Sequence, residues 1–430
     1  MSAPAVTRPA EDLPAPPPPL GRNRDYRMVW TGSAVSALGS SITSLAYPLL
    51  VLAATGSPTK AGLVGFANTL PNLALPLHAG VLVDRFDRKK LLILCDAVRA
   101  LCLGSVGAAL LLGHFWLWHV LTVCLIEGAF TVLAGIAGQA AIRNVVRRED
   151  LDRAFARSEA RDRAAMVVGK PLGGLLLGVT RSLPFLADAA SYLVSLAALL
   201  LVRRPFQTAR TERPAEARQS AAAEIKEGVR WVLSQPFVRI ASLLVAGSNL
   251  LFQALFLAVI VLLHQAHASD TAIGYVLAAA GVGGAAGSFC ATWFRRRLPL
   301  AVVVIGANWI WALLVPLVGL TRSPLVIGAT VAGLAFVGPV WNVAVEVYRL
   351  TITPDEIQGR TTSAVTLVAF GALPLGSLAG GLMLSHLSGR ATVLWLSALM
   401  VLLALAATAS KGVRTVAVPG RGHVRQEDTR

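Results

Sequence analysis

Long apolar runs alternate with short polar breaks along almost the whole chain. A helix needs about 17–25 apolar residues to cross a bilayer, and the chain holds twelve runs of roughly that length. The predicted spans are 28–53, 61–83, 91–113, 116–141, 163–180, 184–202, 238–263, 272–293, 299–320, 324–348, 361–386 and 391–409. The pattern therefore predicts an all-α polytopic membrane protein with twelve transmembrane helices.

One polar segment, 203–236, is much longer than the other breaks and separates six spans from six. Within it, residues 222–233 place Ile225, Val229 and Val232 on one side of a helix, which is typical of an interfacial helix. The predicted organisation is a disordered tail at 1–27, a six-helix bundle at 28–202, the connector at 203–236, a second six-helix bundle at 237–410 and a tail at 411–430.

A weak internal repeat relates the two predicted bundles. A shift of 203 positions places Arg157 on Arg360, Pro171 on Pro374 and Gly173 on Gly376. Such parallel repeats are common in secondary transporters. The repeat favours two pseudo-symmetric bundles over a single irregular one.

Composition supports a membrane protein. The chain is 55% hydrophobic with a mean hydropathy of +0.64, and only 14% of its residues are charged, against about 25% in globular proteins. The net charge of +16 raises the possibility of a nucleic-acid partner, but most lysines and arginines fall in breaks on one side of the membrane. That bias places both termini in the cytoplasm, and anionic lipid explains the excess without nucleic acid.

No signature of a soluble enzyme is present. The four cysteines, Cys95, Cys102, Cys124 and Cys290, lie in predicted spans without the spacing of a metal site. The chain also lacks a Walker A sequence, an H-E-x-x-H motif and a nucleophile elbow. We therefore expect neither enzyme activity nor a cofactor.

A compact charged loop, Gly80–Lys90, joins the second and third spans. Its pattern G-x-x-x-D-R-x-x-R-K-K resembles the signature of major facilitator superfamily transporters. The form D-R-F-D-R-K-K is most similar to the branch that holds macrolide-efflux proteins and the enterobactin exporter. The sequence departs from the broader pattern at Asp87, where glycine is usual.

This resemblance implies two six-helix bundles around a central cavity that opens alternately to each side. It also implies a gating role for Gly80, Asp84, Arg85, Arg88 and Lys89. Asp84 would accept backbone N–H groups at the start of the eleventh helix, near Thr361 and Thr362, where the helix dipole favours a carboxylate. Gly80 would allow the two helices to approach closely. The alternative is a loop that only sets topology.

The segment Val168–Gly174 resembles the fifth-helix motif of exporters, although Lys170 stands where proline is usual and Pro171 follows one residue late. Gly169 with Gly173, and Gly174 with Gly178, form two faces for tight helix packing. Lys170 has two open interpretations. Its ammonium group reaches back to the membrane surface, or it pairs with an acid inside the membrane.

Two acids fall inside predicted spans. Glu127 lies near the middle of the fourth span, where an ionisable residue should face the interior and serve a function. We predict a role in proton or substrate handling; the alternatives are a static pair with Lys170 or a neutral, hydrogen-bonded acid. Asp188 lies near the start of the sixth span and either joins that function or only caps the helix or meets Arg181.

Polar residues at helical spacing identify further candidates for the cavity. The first span carries Ser33, Ser36, Ser40, Ser44 and Tyr47 on one face, and the seventh carries Asn249 and Gln253. Either set lines a cavity or forms hydrogen bonds between helices. Glu346, on the tenth span, is expected to pair with Arg349 or Arg143.

The resemblance implies a secondary active exporter in the cell membrane, expected to be a monomer. It would exchange protons for a lipophilic or amphiphilic molecule such as a drug, a macrolide-like compound or a siderophore. An importer or uniporter of a small metabolite is the alternative within transport. A membrane enzyme or a non-transporting receptor is the more distant one.

Overall fold

The computed structural model describes residues 18–207, 221–354 and 357–416, and almost all of them lie in helices. The helices are α1 (Arg24–Thr55), α2 (Pro58–Thr69), α3 (Pro71–Ala74), α4 (Pro76–Arg85), α5 (Arg88–Leu111), α6 (Leu117–Val145), α7 (Leu151–Val179), α8 (Leu183–Leu201), α9 (Ala221–Ser234), α10 (Pro236–Gln265), α11 (Asp270–Arg297), α12 (Leu300–Leu320), α13 (Pro324–Ile352), α14 (Gln358–His386), α15 (Gly389–Ala409) and α16 (Lys411–Arg414). The prediction of an all-helical membrane fold is confirmed.

Ten of the described helices are long and apolar enough to cross a membrane. The two other predicted spans differ from the rest for separate reasons. The second span is divided among α2, α3 and α4, and the fifth forms the second half of α7, whose first half carries many charged residues. Counting these two, the bundle has the twelve crossings that the hydrophobic pattern predicts.

The prediction of one continuous helix at 61–83 is wrong. Pro71 begins α3 and Pro76 begins α4. Proline has no N–H group to donate, so it fits the first turn of a helix but interrupts a helix interior. The second crossing therefore consists of three short helices with two breaks between them.

Side-chain caps account for several helix starts. The Asn23 side chain accepts from the N–H group of Tyr26, so α1 begins at Arg24, ahead of the predicted start at residue 28. Asp87 Oδ1 accepts from the N–H groups of Lys89 and Lys90 at 2.8 and 3.0 Å. The residue that departs from the family pattern is thus the N-cap of α5, a position that aspartate favours.

Six crossings pack together on each side of the connector helix α9. We call α1–α8 the N-terminal half and α10–α16 the C-terminal half. In the first, α8 packs on α1 and α5; in the second, α13 packs on α11 and α14 packs on α10. We call the end of the bundle that holds the start of α1 and the end of α15 the terminal face, and the opposite end the loop face.

Two helix pairs form most of the contact between the halves, α2 with α14 and α7 with α11. Both depend on glycines near the loop face. A Cβ atom built on Gly62 would lie 2.8 Å from Gly381 Cα, and one on Gly174 would lie 2.8 Å from Thr271 Cα. The absence of side chains at these glycines lets the backbones meet. The halves are therefore closed against each other at the loop face.

The helix predicted at 222–233 is present as α9, while the side chain of Ile225 lies outside the described residues. It packs against α14 and α10, both in the C-terminal half. The Arg360 side chain donates to Glu227 in an ion pair, which fixes α9 to the start of α14.

Candidate functional site

The main candidate site is a central cavity of about 560 Å³ between the two halves. The N-terminal half supplies residues of α1, α2 and α7, and the C-terminal half supplies residues of α10 and α14. The polar lining residues are Ser40, Ser41, Ser44, Tyr47, Asn68, Thr69, Asp162, Lys170, Gln253 and Ser377. A cavity with this lining on both halves can hold an amphiphilic molecule.

A second, smaller space of about 140 Å³ adjoins the central cavity inside the N-terminal half. We call it the polar pocket. It shares four lining residues with the central cavity, Ser40, Ser44, Tyr47 and Asn68, and adds Arg99 and Glu127. The shared residues connect the buried charges to the central cavity.

Glu127 is buried at the end of this pocket, as predicted from its depth. It is 5% exposed, and Tyr47 Oη donates to its Oε2 atom over 2.8 Å. The Tyr47 ring is in turn held edge-on against Phe185 at 5.1 Å between ring centroids. Two residues singled out separately in the sequence, on the first and fourth crossings, therefore form one unit.

Arg99, on α5, supplies the positive charge of the site. Its guanidinium carbon lies 4.0 Å from the centroid of the Tyr192 ring, and it interacts electrostatically with Glu127 and Asp188. Ser40 bridges the group, since its Oγ atom lies 2.7 Å from Tyr192 Oη and 3.5 Å from the Arg99 Nη2 atom that donates to it. Stacking and charge together fix the guanidinium.

Asp188 is fully buried behind the polar pocket rather than in its wall. The Thr43 hydroxyl donates to Asp188 Oδ2 over 2.5 Å, and the Ser191 hydroxyl donates to Oδ1 over 2.9 Å. The predicted alternatives of a helix cap or a contact with Arg181 are both wrong. The carboxylate faces α1, so it belongs to the interface between α1 and α8.

Asp96 and Arg99 were not identified as site residues from the sequence. Asp96 is 5% exposed and lies near Ser195 of α8. Both side chains lie one turn apart in an otherwise apolar crossing, which is the signal that could have found them. We call Asp96, Arg99, Glu127 and Asp188 the charge cluster.

Ser36, which was predicted to line the cavity, does not belong to the lining described above. Its hydroxyl donates to the Ser33 carbonyl of its own helix at 3.3 Å. It lies one turn closer to the terminal face than Ser40, beyond the polar pocket. Ser33 does not belong to that lining either, whereas Ser40, Ser44 and Tyr47 of the predicted stripe do line the cavity.

Lys170 follows neither of its two predicted alternatives. The residue is 7% exposed, so it does not reach the membrane surface, and no described acid forms an ion pair with it. Its Nζ atom lies 5.4 Å from the centroid of the Phe256 ring on α10. The ammonium group therefore stands between the two halves, in the wall of the central cavity.

A third space of about 280 Å³ extends from Lys170 into the C-terminal half. We call it the aromatic pocket, because Phe252, Phe256, Trp311 and Trp341 line it. Asn249 lines it too and donates to the Ala369 carbonyl at 2.8 Å. Gln253 lines the central cavity and donates to Ser377 Oγ at 3.0 Å. Both predicted polar residues of the seventh crossing thus line a cavity while bonding to α14.

A further cavity of about 620 Å³ continues from the aromatic pocket towards the terminal face. It shares Val245, Asn249, Trp341 and Asn342 with that pocket and reaches Glu346 and Arg349. Arg349 forms an ion pair with Glu346, as predicted, and donates to Thr362 at 3.0 Å. The connected cavities therefore run from the middle of the bundle towards the terminal face.

The charged loop after α4 is only partly described, and the Asp84 side chain lies outside the described residues. Lys89 Nζ donates to the Val202 carbonyl at the end of α8 over 2.7 Å, and Arg85 is exposed. The predicted close approach at Gly80 is not seen among the described residues, because none of their atoms lies within 4 Å of a Cβ built there. In this arrangement α4 packs against α6 rather than approaching another helix at Gly80.

The glycines of the fifth crossing behave differently along α7. A Cβ atom on Gly169 would lie 2.6 Å from Ser41 Cβ, and one on Gly173 would lie 2.7 Å from the Ile42 carbonyl oxygen. The first predicted packing face is therefore confirmed against α1. The second is only half correct, since Gly174 meets α11 while Gly178 has open space around it. Pro171 is buried within the same helix.

Comparison with known families decides the class of the protein. A family model of major facilitator proteins, described as transmembrane secretion effector, matches residues 16–418. The chain belongs to this major facilitator family. The family resemblance inferred from Gly80–Lys90 is confirmed.

Curated relatives of this major facilitator protein include named drug efflux pumps. Multidrug efflux pump Tap of Mycolicibacterium fortuitum is 26% identical over 402 residues, which cover 88% of this chain and 94% of the relative. Macrolide efflux protein A of Streptococcus pyogenes is 26% identical over 185 residues, covering 42% of this chain and 45% of the relative. The resemblance of the loop motif to the macrolide-efflux branch is therefore also supported.

Solved structures share the fold at low identity. The nucleoside transporter NupG superposes with a TM-score of 0.73 at 12% identity, covering 91% of this chain and all of that one. A bacterial homologue of the human lysosomal transporter Spinster gives a TM-score of 0.70 at 14% identity, covering 91% of this chain and 97% of that one. These matches show that the chain has the same fold as those two proteins.

Proposed function

We propose that this protein exports lipophilic or amphiphilic small molecules from the cell in exchange for protons. The observation that carries the proposal is the charge cluster, which is buried and yet adjoins the central cavity through Tyr47 and Ser40. The relatives named as multidrug and macrolide efflux pumps favour export as the direction.

The balance of charge in the cluster supports proton exchange. Asp96, Glu127 and Asp188 are buried with one buried arginine, Arg99. If every group were ionised, the cluster would carry an excess of two negative charges. Uncompensated charge in an apolar environment is costly, so binding of protons is the simplest way to balance it. Glu127 is the best placed to exchange a proton, because it lies in the wall of the polar pocket.

Transport requires the two halves to move relative to each other. The glycine contacts close the loop face, while the connected cavities extend towards the terminal face. With the terminal face in the cytoplasm, as the distribution of lysine and arginine suggests, this arrangement faces inward. In the opposite state we expect Asp84 and Arg88 to hold α4 near the start of α14, as the family resemblance implies.

The proposal is tested by drug accumulation in an efflux-deficient bacterium. Cells expressing the wild-type protein should accumulate less of some dyes or antibiotics, macrolides among them, and a protonophore should restore accumulation. Glu127→Gln should behave like cells without the protein, whereas Glu149→Gln, an exposed control, should behave like the wild type. Increased accumulation, or export that the protonophore does not reduce, would contradict the proposal.

A further inference from the structure

Three buried donors without acceptors line the aromatic pocket. Ser248 Oγ and Trp341 Nε1 have no hydrogen-bond partner among the described residues, and the Lys170 ammonium group has no described acid beside it. Ser248 is 2% exposed, Trp341 4% and Lys170 7%. Buried donors are normally paired, so three in one pocket indicate a site that receives acceptor atoms from a ligand.

The backbone on both sides of Lys170 is packed against other helices. A Cβ atom built on Gly274 of α11 would lie 2.5 Å from the Lys170 carbonyl oxygen. On the other side of α7, Gly169 is in contact with Ser41 of α1. Packing on both sides directs the ammonium group to the junction of the central cavity and the aromatic pocket.

Charges facing Lys170 do not neutralise it. Asp162 is the acid that lines the central cavity with it, but Asp162 pairs with Arg161 at 2.9 Å and lies two turns away along α7. Glu127 opens into the polar pocket and is engaged by Tyr47. The contact with the Phe256 ring recovers only part of the hydration that a buried ammonium group loses.

The arrangement of donors also defines a shape. Lys170 lies beside Phe256, while Ser248 lies eight residues earlier on α10, which is about 12 Å along a helix axis. Between these ends the pocket wall is formed by Phe252, Trp311 and other apolar side chains. A ligand that satisfies all three donors therefore has acceptors at both ends of an apolar body.

We propose that the aromatic pocket binds an organic anion, with its charged group at Lys170 and a neutral acceptor at Ser248 and Trp341. The inference rests on the proposed transport function and narrows the cargo to amphiphilic acids, such as aryl carboxylates, rather than amines. The anionic group takes the place of the missing ion-pair partner, and the apolar body fills the space between the donors.

A matched pair of probes tests the charge requirement. The first is 6-methoxy-2-naphthylacetate, a fluorescent carboxylate with an ether oxygen at its far end; the second is its primary amide, which has a similar shape and no charge. Binding to purified protein in detergent is measured by equilibrium dialysis, without any proton gradient. The wild-type protein should bind the carboxylate about 10- to 100-fold more tightly than the amide.

Variants then assign the preference to individual residues. Lys170→Met should remove the preference and leave binding of the amide unchanged, whereas Lys170→Arg should retain the preference. Lys60→Met, which removes an exposed lysine, is the control for net charge. Ser248→Ala and Trp341→Phe should weaken both probes alike, because they contact the neutral end.

Two results would overturn the inference. One is equal affinity of the wild-type protein for the two probes, or no measurable binding of the carboxylate; this comparison needs no variant to fold. The other is a full preference in Lys170→Met. Failure here is distinct from failure of proton-driven export, since Glu127→Gln should lose export while keeping the binding preference.

Discussion

Tyr47 and Glu127 are joined by a hydrogen bond of 2.8 Å across two transmembrane helices, with the tyrosine at the wall of the central cavity and the carboxylate behind it. A molecule that enters the cavity meets the phenol before it meets the acid. In the proposed mechanism, this pair would link occupancy of the cavity to the protonation of Glu127.

Removal of this link should impair transport while the fold is preserved. Tyr47→Phe keeps the ring contact with Phe185 but deletes a hydrogen bond to a charged group, which contributes about 1.5–3 kcal/mol. We expect proton-dependent efflux to fall about tenfold or more, measured as the initial rate of dye extrusion. Tyr348→Phe, at a tyrosine outside the cluster, is the control. Equal initial rates of dye extrusion in Tyr47→Phe and Tyr348→Phe would show that Tyr47 has no special role in proton coupling.

Arg99 should be needed for stability as well as for transport. Arg99→Gln leaves buried acids without their cation, a change that costs about 3–5 kcal/mol, so the protein should unfold at lower temperature in detergent. The unfolding temperature of Arg99→Lys should lie between those of the wild type and Arg99→Gln, because lysine keeps the charge but loses the planar stacking on Tyr192. Arg322→Gln, at an exposed arginine, should have no effect. A stable Arg99→Gln variant would show that the acids need no cation.

Closure of the loop face should depend on Gly62. Gly62→Ala places a methyl group against Gly381, and such overpacking costs about 1–3 kcal/mol, enough to shift a two-state population by about 5- to 150-fold. We expect Ser44→Cys, in a background without the native cysteines, to react faster with a membrane-impermeant maleimide applied outside the cell. Gly178→Ala, at a glycine with open space, is the matched control. Identical labelling in both variants would contradict the role of this contact.

Asp188 should contribute mainly to helix packing. Asp188→Asn removes the charge that accepts from Thr43 and Ser191 and should destabilise the protein by about 1–3 kcal/mol. Efflux per folded molecule should stay closer to the wild type than in Glu127→Gln, because Asp188 does not line the cavity. Thermal unfolding and efflux are measured on the same preparations. Normal stability with abolished efflux would instead make Asp188 a proton site.

The sequence predicted the architecture well because membrane insertion acts on properties that are local in the chain. The length of each apolar run specifies a crossing, and an acid at mid-depth, such as Glu127, is conspicuous without any alignment. Its partner Tyr47 could be placed on a polar helix face by spacing alone. Their contact could not be predicted, since it depends on how α1 packs against α6.

Other features of the site depend on contacts between distant helices. Lys170 was expected to reach the surface or to pair with an acid, but its environment is set by Phe256 of the opposite half. Arg99 was not identified from the sequence, because its role depends on Tyr192 and on acids of other helices that pack around it. Gly178 lies in open space although its spacing from Gly174 matches a packing motif, and Gly80 lies in open space although the family resemblance implies a close approach there. Spacing indicates which contacts are possible, and tertiary packing selects among them.

The most direct test of the account is substrate-driven proton movement in inverted membrane vesicles. Vesicles are acidified by respiration and monitored with a pH-sensitive acridine dye, and a compound that the wild-type protein extrudes is then added. The account predicts recovery of fluorescence with wild-type protein, as protons leave the vesicle in exchange for the compound, and none with Glu127→Gln at equal membrane level. Full recovery with Glu127→Gln, or no recovery with the wild type, would contradict proton-coupled export through this residue.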